Sequence, residues 1–562
     1  MDDNIGINLK TRYNSLKSLR SSFDTLWGEI ARYVLPRRLS GIQGTIAAFG
    51  TEEESRLFDT TAIRANVTMA NGQLAWMSPS DSPWFEFQPA LQLKDDDEAK
   101  QWTAKCTTRA REEMAQSNFY TSVHEFYLDR SAFGTAALYL EEKDGDLNFI
   151  SVPIGTFVFT TNHKGVVDTF MREIWFTPSQ AVDMFGSSVS PVMMDKASKP
   201  QTQDVPVRFL HAVYKRDEKK LVADDPSPKN MPFASCYMEL DSSHVCEEGG
   251  VEEMPFMVSR FMLWSSSTGS VYGSSPAGSA LADARQVNFL QKMMDALAEK
   301  MAFPPVLAPE ELEGEIDPNA YGVTYFSKEM GAVMPKEWMT EGRYDIGLQR
   351  VQERQKAIEN AFQVDLFQMF ANLDKQMTAR EVMERSNEKV VQFNPTFARL
   401  TTELFNPLLQ RVFNIMLRLG KFGEIPESMI TPVSEGKVFV PPPVIRYASR
   451  LSLALKAAPS MGYQRTLERL GAVAAMAPQV MDNFDWDRAE RDMAMADGTP
   501  PEFLIPEEQV AEMRAARAKA QEAAAQEQKS MMAAEAAAKM GSIPGDSPVG
   551  KELSRQMGGP QR

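Results

Sequence analysis

Cys236, His244 and Cys246 stand in a C-x7-H-x-C spacing, the kind of thiolate and imidazole set that a zinc ion takes. The set stops at three candidate ligands with no fourth nearby, which is poor spacing for a closed tetrahedral site. Asp482, Asp485 and Asp487 cluster like the carboxylates of a calcium loop, but the glycine and terminal Glu of an EF-hand are missing from their offsets. Gly273-Ser274-Ser275-Pro276-Ala277 has the outline of a nucleophile elbow without its second glycine. Proline just ahead of a helix body makes it a helix start instead. The four histidines, His124, His163, His211 and His244, leave little general-base capacity, and each is read as structural. Neither a G-x-x-x-x-G-K-[ST] loop nor an H-E-x-x-H pair occurs. The expectation is a chain with no catalytic residues, no metal and no cofactor.

Composition points the same way. With 562 residues, 43% of them hydrophobic, the chain has enough apolar surface for several cores. Asp and Glu outnumber Lys and Arg by 76 to 60, a formal net charge of -16. Tight wrapping of nucleic acid needs a basic footprint, so any DNA contact is expected to be weak. Three cysteines cannot form a disulfide framework in a chain this long and fit a reducing cytoplasm. No apolar run of about 18 residues is present, so neither secretion nor membrane insertion is expected.

These residues must be carried by a mainly helical α+β scaffold. Leu9, Tyr13, Leu16, Phe23, Leu26, Trp27, Ile30 and Val34 recur near a helical period and end at Pro36. Further helices are expected over about Glu53 to Met77, Asp95 to Phe133, Pro276 to Ala302, Tyr344 to Phe370, Thr378 to Gln392, Pro395 to Leu419 and Leu451 to Ala475. Thr378 and Glu381 have the spacing of a capping box. Between about Thr135 and Val271 short apolar runs alternate with turn residues, which predicts strands. Asp144-Gly145 and His163-Lys164-Gly165 are expected to join antiparallel neighbours. Pro506 to Met540 is rich in Ala, Glu, Gln, Met and Lys. An isolated helix of that composition is marginal in water, so partner helices are needed to bury its weak apolar stripe. Met293, Met294, Leu297 and Met301 are read as packing residues.

Several stretches together resemble the head-to-tail connector, or portal, family of short-tailed bacteriophages. They are Arg12-Tyr13-Asn14-Ser15-Leu16 with Trp27-Gly28-Glu29-Ile30; Phe58-Asp59-Thr60-Thr61-Ala62; Trp76-Met77-Ser78-Pro79 with Trp84-Phe85; Ser117-Asn118-Phe119-Tyr120; and Phe133-Gly134-Thr135-Ala136. Tyr272-Gly273-Ser274-Ser275-Pro276, Phe303-Pro304-Pro305 and Met377-Thr378-Ala379-Arg380-Glu381-Val382 follow in the same order. Collinearity over about residues 10 to 420 makes the likeness specific, and it is looser beyond Gly420.

The resemblance implies a ring of copies, usually a dodecamer, around a channel for double-stranded DNA. By position, 1–275 would be the wing, 276–302 and 344–371 paired stem helices, 303–343 the clip and 372–377 the tunnel loop. Residues 378–400 would be a wing helix, 401–505 the crown, 506–540 a helical barrel extension and 541–562 a disordered tail. Asn372, Leu373, Asp374, Lys375 and Gln376 would face the channel. Glu310, Glu311, Glu313, Glu315, Lys328 and Lys336 would dock terminase and the tail adaptor or nozzle. Arg350, Arg354 and Lys356 would form intersubunit or intrahelix ion pairs on the stem. Further implied partners are the major capsid protein and scaffold, at one vertex of a virion assembled in the host cytoplasm. Residues 303–342 carry eight acidic side chains and two lysines, 2 - 8 = -6, a charge that repels phosphate. A different phage virion structural or tail-adaptor protein is the alternative.

Overall fold

In the computed structural model the described residues are 3–43, 57–94, 96–217, 227–263, 270–302, 306–307, 336–337, 344–369, 395–434, 437–448, 466–467, 470, 479, 483–496, 505 and 507–541. The chain divides into two compact units, residues 1–458 and 459–562.

The first unit opens with α1 (Asp3–Val34) and a short α2 (Leu39–Gln43). α3 (Thr61–Met77) begins at Thr61 rather than near Glu53, because Asp59 accepts hydrogen bonds from the Thr61 amide and hydroxyl and fixes the start. The region expected as one helix up to Phe133 is two, α4 (Asp97–Gln116) and α5 (Phe119–Phe133). Ser117 and Asn118 break it, since Asn118 turns its side chain to the Phe149 amide and carbonyl. Such side-chain competition for backbone partners is why Asn and Ser favour helix ends.

The middle section is α+β, as its alternating pattern predicts. β2 (Thr135–Lys143), β3 (Asp146–Val152) and β9 (Phe256–Arg260) form an antiparallel sheet of order β3-β2-β9. β4 (Phe157–Thr161), β5 (Val167–Phe176), β6 (Val207–Lys215), β7 (Phe233–Glu239) and β8 (Val245–Val251) form a five-stranded antiparallel meander. Both predicted turns join neighbouring antiparallel strands; Asp144 and Gly145 take positive φ of 55° and 85°, the pair of left-handed residues that a tight hairpin demands. Two short helices in this section, α6 (Pro178–Phe185) and α7 (Pro191–Ser198), were not expected. Thr177 with Gln180, and Ser190, cap them. β1 (Phe85–Gln88) pairs with a distant strand at Val444–Tyr447.

Alternation sends the strands' side chains to two faces. Val158, Met171, Leu210, Ala212, Cys236 and Met238 pack under Leu9 and Tyr13 of α1, while Phe157, Phe159, Phe170 and Val213 join the main core. Cys246 belongs to a third cluster with Phe185 and Phe209, so Cys236 and Cys246 do not share a core. Between the two sheets lies a buried polar knot. Arg172 Nε donates to His211 Nδ1 at 3.2 Å, and His211 Nε2 meets Ser235 Oγ at 3.0 Å. The Arg172 guanidinium lies 4.2 Å from the Tyr139 ring centroid. Burial first, and Arg172 second, hold the His211 pKa well below the usual imidazole value.

α8 (Pro276–Ala302) and α9 (Tyr344–Ala361) follow; between them only the antiparallel pair β10 (Val306–Leu307) and β11 (Lys336–Glu337) is described. The helix expected from Tyr344 to Phe370 is broken: α10 (Val364–Met369) is separate. Helical residues 395–400 run through a π turn, Thr401–Phe405, into α11 (Asn406–Arg418). Pro407 explains the widened turn: it has no amide hydrogen, and in a regular helix its ring would press on the Glu403 carbonyl four residues back. In the second unit, α12 (Trp486–Ala496) and α13 (Glu507–Gly541) are linked by Arg514, which donates to Asp487 Oδ1 at 2.8 Å. α13 has the length expected, and the side chains described along it are exposed apart from half-buried Val510. The expected helices at 378–392 and most of 451–475, the Thr378 capping box and the tail beyond 541 lie outside the described residues.

Candidate functional site: the paired long helices

The Gly273–Ala277 segment starts a helix. Ser275 Oγ accepts the Gly278 amide at 2.9 Å and Pro276 opens α8, where a missing amide hydrogen does no harm. α8 then lies against α9 within the chain. At Gly347 the Met294 side chain lies directly over the α9 backbone: a Cβ added there would sit 2.2 Å from Met294 Sδ. Asp283 of α8 accepts from Arg354 of α9 at 2.8 Å. Asn288 Oδ1 accepts the Phe58 amide at 2.8 Å, and Gln355 donates to Asp59 Oδ2 at 2.8 Å. The segment before α3 is thereby tied across both helices.

The two helices leave much of their apolar surface in water. Phe289, Met293 and Met301 of α8 are 59%, 44% and 52% exposed, and Ile346 and Leu348 of α9 are 42% and 44% exposed. Of the methionines expected as packing, only Met294 is buried within the chain. Fully burying such a side chain is worth about 1.5–3 kcal/mol and, with about half of each still exposed, roughly half of that remains to be gained, so this surface favours a covering partner.

A charged cluster ties the helix at 395–418 to the Arg260 end of β9. Glu403 accepts the Arg260 amide at 2.7 Å, Arg260 Nη2 at 2.5 Å and Arg399 Nη1 at 3.0 Å. Arg130, fully buried, donates to the Arg260 and Thr396 carbonyls, both at 3.2 Å. Its Nη1 has no hydrogen-bond partner, and its guanidinium lies 5.0 Å from the Phe261 ring centroid. Burial pushes the Arg130 pKa down to about 10. Sequence reading missed this cluster; its one legible sign is the i,i+4 spacing of Arg399 and Glu403.

Of the residues singled out from sequence, Arg354 pairs with Asp283 of the other long helix within the chain. Arg350 and Lys356 are exposed on α9. Lys336 lies in β11. Glu310, Glu311, Glu313, Glu315, Lys328 and Asn372, Leu373, Asp374, Lys375 and Gln376 lie outside the described residues. His244 Nε2 meets the Ser188 carbonyl at 2.9 Å and His124 Nε2 meets Asn71 Oδ1 at 2.8 Å. Among the described residues no group of three metal-ligating side chains forms, and no helix is long and apolar enough to cross a membrane.

The family model described as bacteriophage head to tail connecting protein matches residues 7–505. The chain belongs to that family. Two curated relatives match over most of the length. The probable portal protein of Bordetella phage BPP-1 is 29% identical over 95% of each chain. The portal protein of Salmonella phage epsilon15 is 28% identical over 87% of each. Among solved structures, a chain of the virion of a native gene transfer agent particle is 11% identical, covering 78% of this chain and 94% of its own at a TM-score of 0.33. The assignment to the connector family rests on the first three matches.

Proposed function

We propose that this chain is the subunit of a portal ring at one capsid vertex, a non-enzymatic doorway for double-stranded DNA during packaging, retention and ejection. The observation that carries the reading, beyond family membership, is the water-facing apolar surface of the α8–α9 pair, with Phe289, Met293, Met301, Ile346 and Leu348. A closed ring needs one face of each subunit to meet a different face of the next, and long helices supply such faces. Residues 1–275 serve as wing, α8 and α9 as stem, 303–343 as clip, 401–505 as crown and α13 as a barrel extension. A dodecamer is the expected number. The acidic clip, through Glu310, Glu311, Glu313, Glu315, Lys328 and Lys336, meets terminase and then the tail adaptor. Residues 372–376 line the channel, and the capsid protein and scaffold surround the wing.

Electron microscopy of the purified chain tests this. Rings with an axial hole wide enough for a duplex are expected; stable monomers at high concentration overturn the reading. Deleting residues 373–376 is expected to spare ring assembly and impair DNA packaging or retention, and failed assembly would remove the loop from the channel. Truncation after Pro506 is expected to leave the ring intact.

A further inference from the structure

We propose that Arg130, Arg260 and Arg399, gathered about Glu403, form a binding site for one small oxyanion of the phosphate type. Three guanidiniums against one carboxylate leave two positive charges over. Glu403 has little more to give, because its two oxygens already take four N–H donors. Oε1 accepts Arg260 Nε at 3.1 Å, Arg260 Nη2 at 2.5 Å and Arg399 Nη1 at 3.0 Å, and Oε2 accepts the Arg260 amide at 2.7 Å. A carboxylate has about four lone-pair sites. None of these bonds goes to Arg130, which is fully buried. It donates to Ser259 Oγ and to the Arg260 and Thr396 carbonyls, and it lies over the Phe261 ring. Those partners are dipoles and a ring face, not a counter-charge, and Arg130 Nη1 is buried with no hydrogen-bond partner among the described residues. Arg20, Arg38 and Arg411 show the ordinary arrangement: a nitrogen of each lies 2.8 Å from Asp24, 2.9 Å from Asp129 and 3.1 Å from Glu253. A buried charge is costly unless paired, so the Glu403 cluster is short of negative charge.

Access is from the Arg399 side. That side chain is 33% exposed, whereas Arg260 is 7% exposed and Arg130 is closed off. Arg399 gives Nη1 to Glu403, and the rest of its planar fork is left for a ligand. A guanidinium edge offers parallel N–H donors that match two oxygens of a phosphate or sulfate. Arg130 stands behind it against the Thr396 carbonyl, one helical turn before Arg399, and adds positive charge from the dry side. Burial lowers the Arg130 pKa to about 10; Glu403 opposes that fall and Arg399 adds to it, as expected of a cluster with excess positive charge. A free anion is favoured over a duplex as the source. One partly exposed arginine admits a single group, and a chain of net charge -16 repels a polyanion. This inference stands apart from the ring reading.

Equilibrium dialysis of the full chain against radiolabelled inorganic phosphate, at neutral pH and low ionic strength, tests the site. One saturable site per chain is expected, with sulfate displacing the phosphate. Arg399→Gln removes the donor fork and is expected to weaken binding about tenfold or more. Arg399→Lys keeps the charge without the fork and is expected to weaken it by less. Glu403→Gln removes the competing negative charge and is expected to tighten binding about fivefold. Arg64→Gln, at an exposed position of α3, is expected to change nothing. If Arg399→Gln fails to fold, the opposite signs of Arg399→Lys and Glu403→Gln still decide. A short DNA duplex is expected not to compete; competition that Arg399→Gln abolishes would keep the site and assign its oxyanion to the DNA backbone. Absence of saturable binding, or binding that the Arg399 and Glu403 variants leave unchanged, overturns the proposal.

Discussion

Replacing Glu403 by alanine removes the carboxylate that accepts the Arg260 amide, the Arg260 guanidinium and Arg399. The Arg260 side chain is only 7% exposed and Arg130 beside it is fully buried, so both cations lose their nearest counter-charge in a dry setting. Removing one partner of a buried pair typically costs 3–5 kcal/mol. Arg399 is 33% exposed and Glu403 11%, so water recovers part of this and about 3 kcal/mol is the expected loss. Glu403→Gln keeps one acceptor and is expected to lose roughly half as much. Urea unfolding followed by tryptophan fluorescence reads this directly, because Trp84 lies 5.0 Å from Phe405, two residues along the same π turn. With an m-value of about 3 kcal/mol/M, the midpoint should fall by about 1 M. A shift for Glu403→Ala no larger than that for exposed Glu359→Ala would refute the reasoning and leave the cluster without structural weight.

Gly134 has φ of +75°, and an added Cβ would lie 2.5 Å from the Ser274 carbonyl carbon. Gly134→Ala is therefore expected to lose about 3 kcal/mol or fail to yield soluble chain, measured by the same unfolding curve. Breaking the partly exposed Arg354–Asp283 pair with Arg354→Ala should lower stability by less than about 1 kcal/mol, and a double-mutant cycle with Asp283→Ala gives its coupling. The buried His211 makes stability pH-dependent with a definite sign. Its folded pKa lies below the usual 6.5, so the unfolded chain binds more protons on acidification. The contribution is complete above pH about 6.5 and falls by up to about 1.4 kcal/mol per unit below it. His211→Gln should flatten the slope of the urea midpoint between about pH 7 and pH 5; an unchanged slope would mean that His211 is not the titrating group.

Much of the scaffold was legible because it follows from local periodicity. α1, α8 and α13 end within a residue or two of Pro36, Ala302 and Met540, and Asp144-Gly145 makes the hairpin its residues demand. The misreadings share one cause. Ser117 and Asn118 end α4 because Asn118 finds partners on β3, and Gln363 breaks a good helical sequence because Phe367 seats at Gly72. β1 finds its partner at Val444–Tyr447, far along the chain. Each is a decision taken by a contact distant in sequence, which no local pattern carries.

The same division runs through the function. Order and spacing of short motifs along the chain point to the connector family, and the absence of nucleotide and metallopeptidase motifs follows from residue types read in a line. The long helices that would face a neighbour follow from periodicity as well. Which of their residues face water, how Arg354 is used, and how Glu403 gathers Arg260 and Arg399 near buried Arg130 were decided by folding. Burial and charge pairing depend on what the chain brings together in space, and a sequence records only which groups are available to be brought.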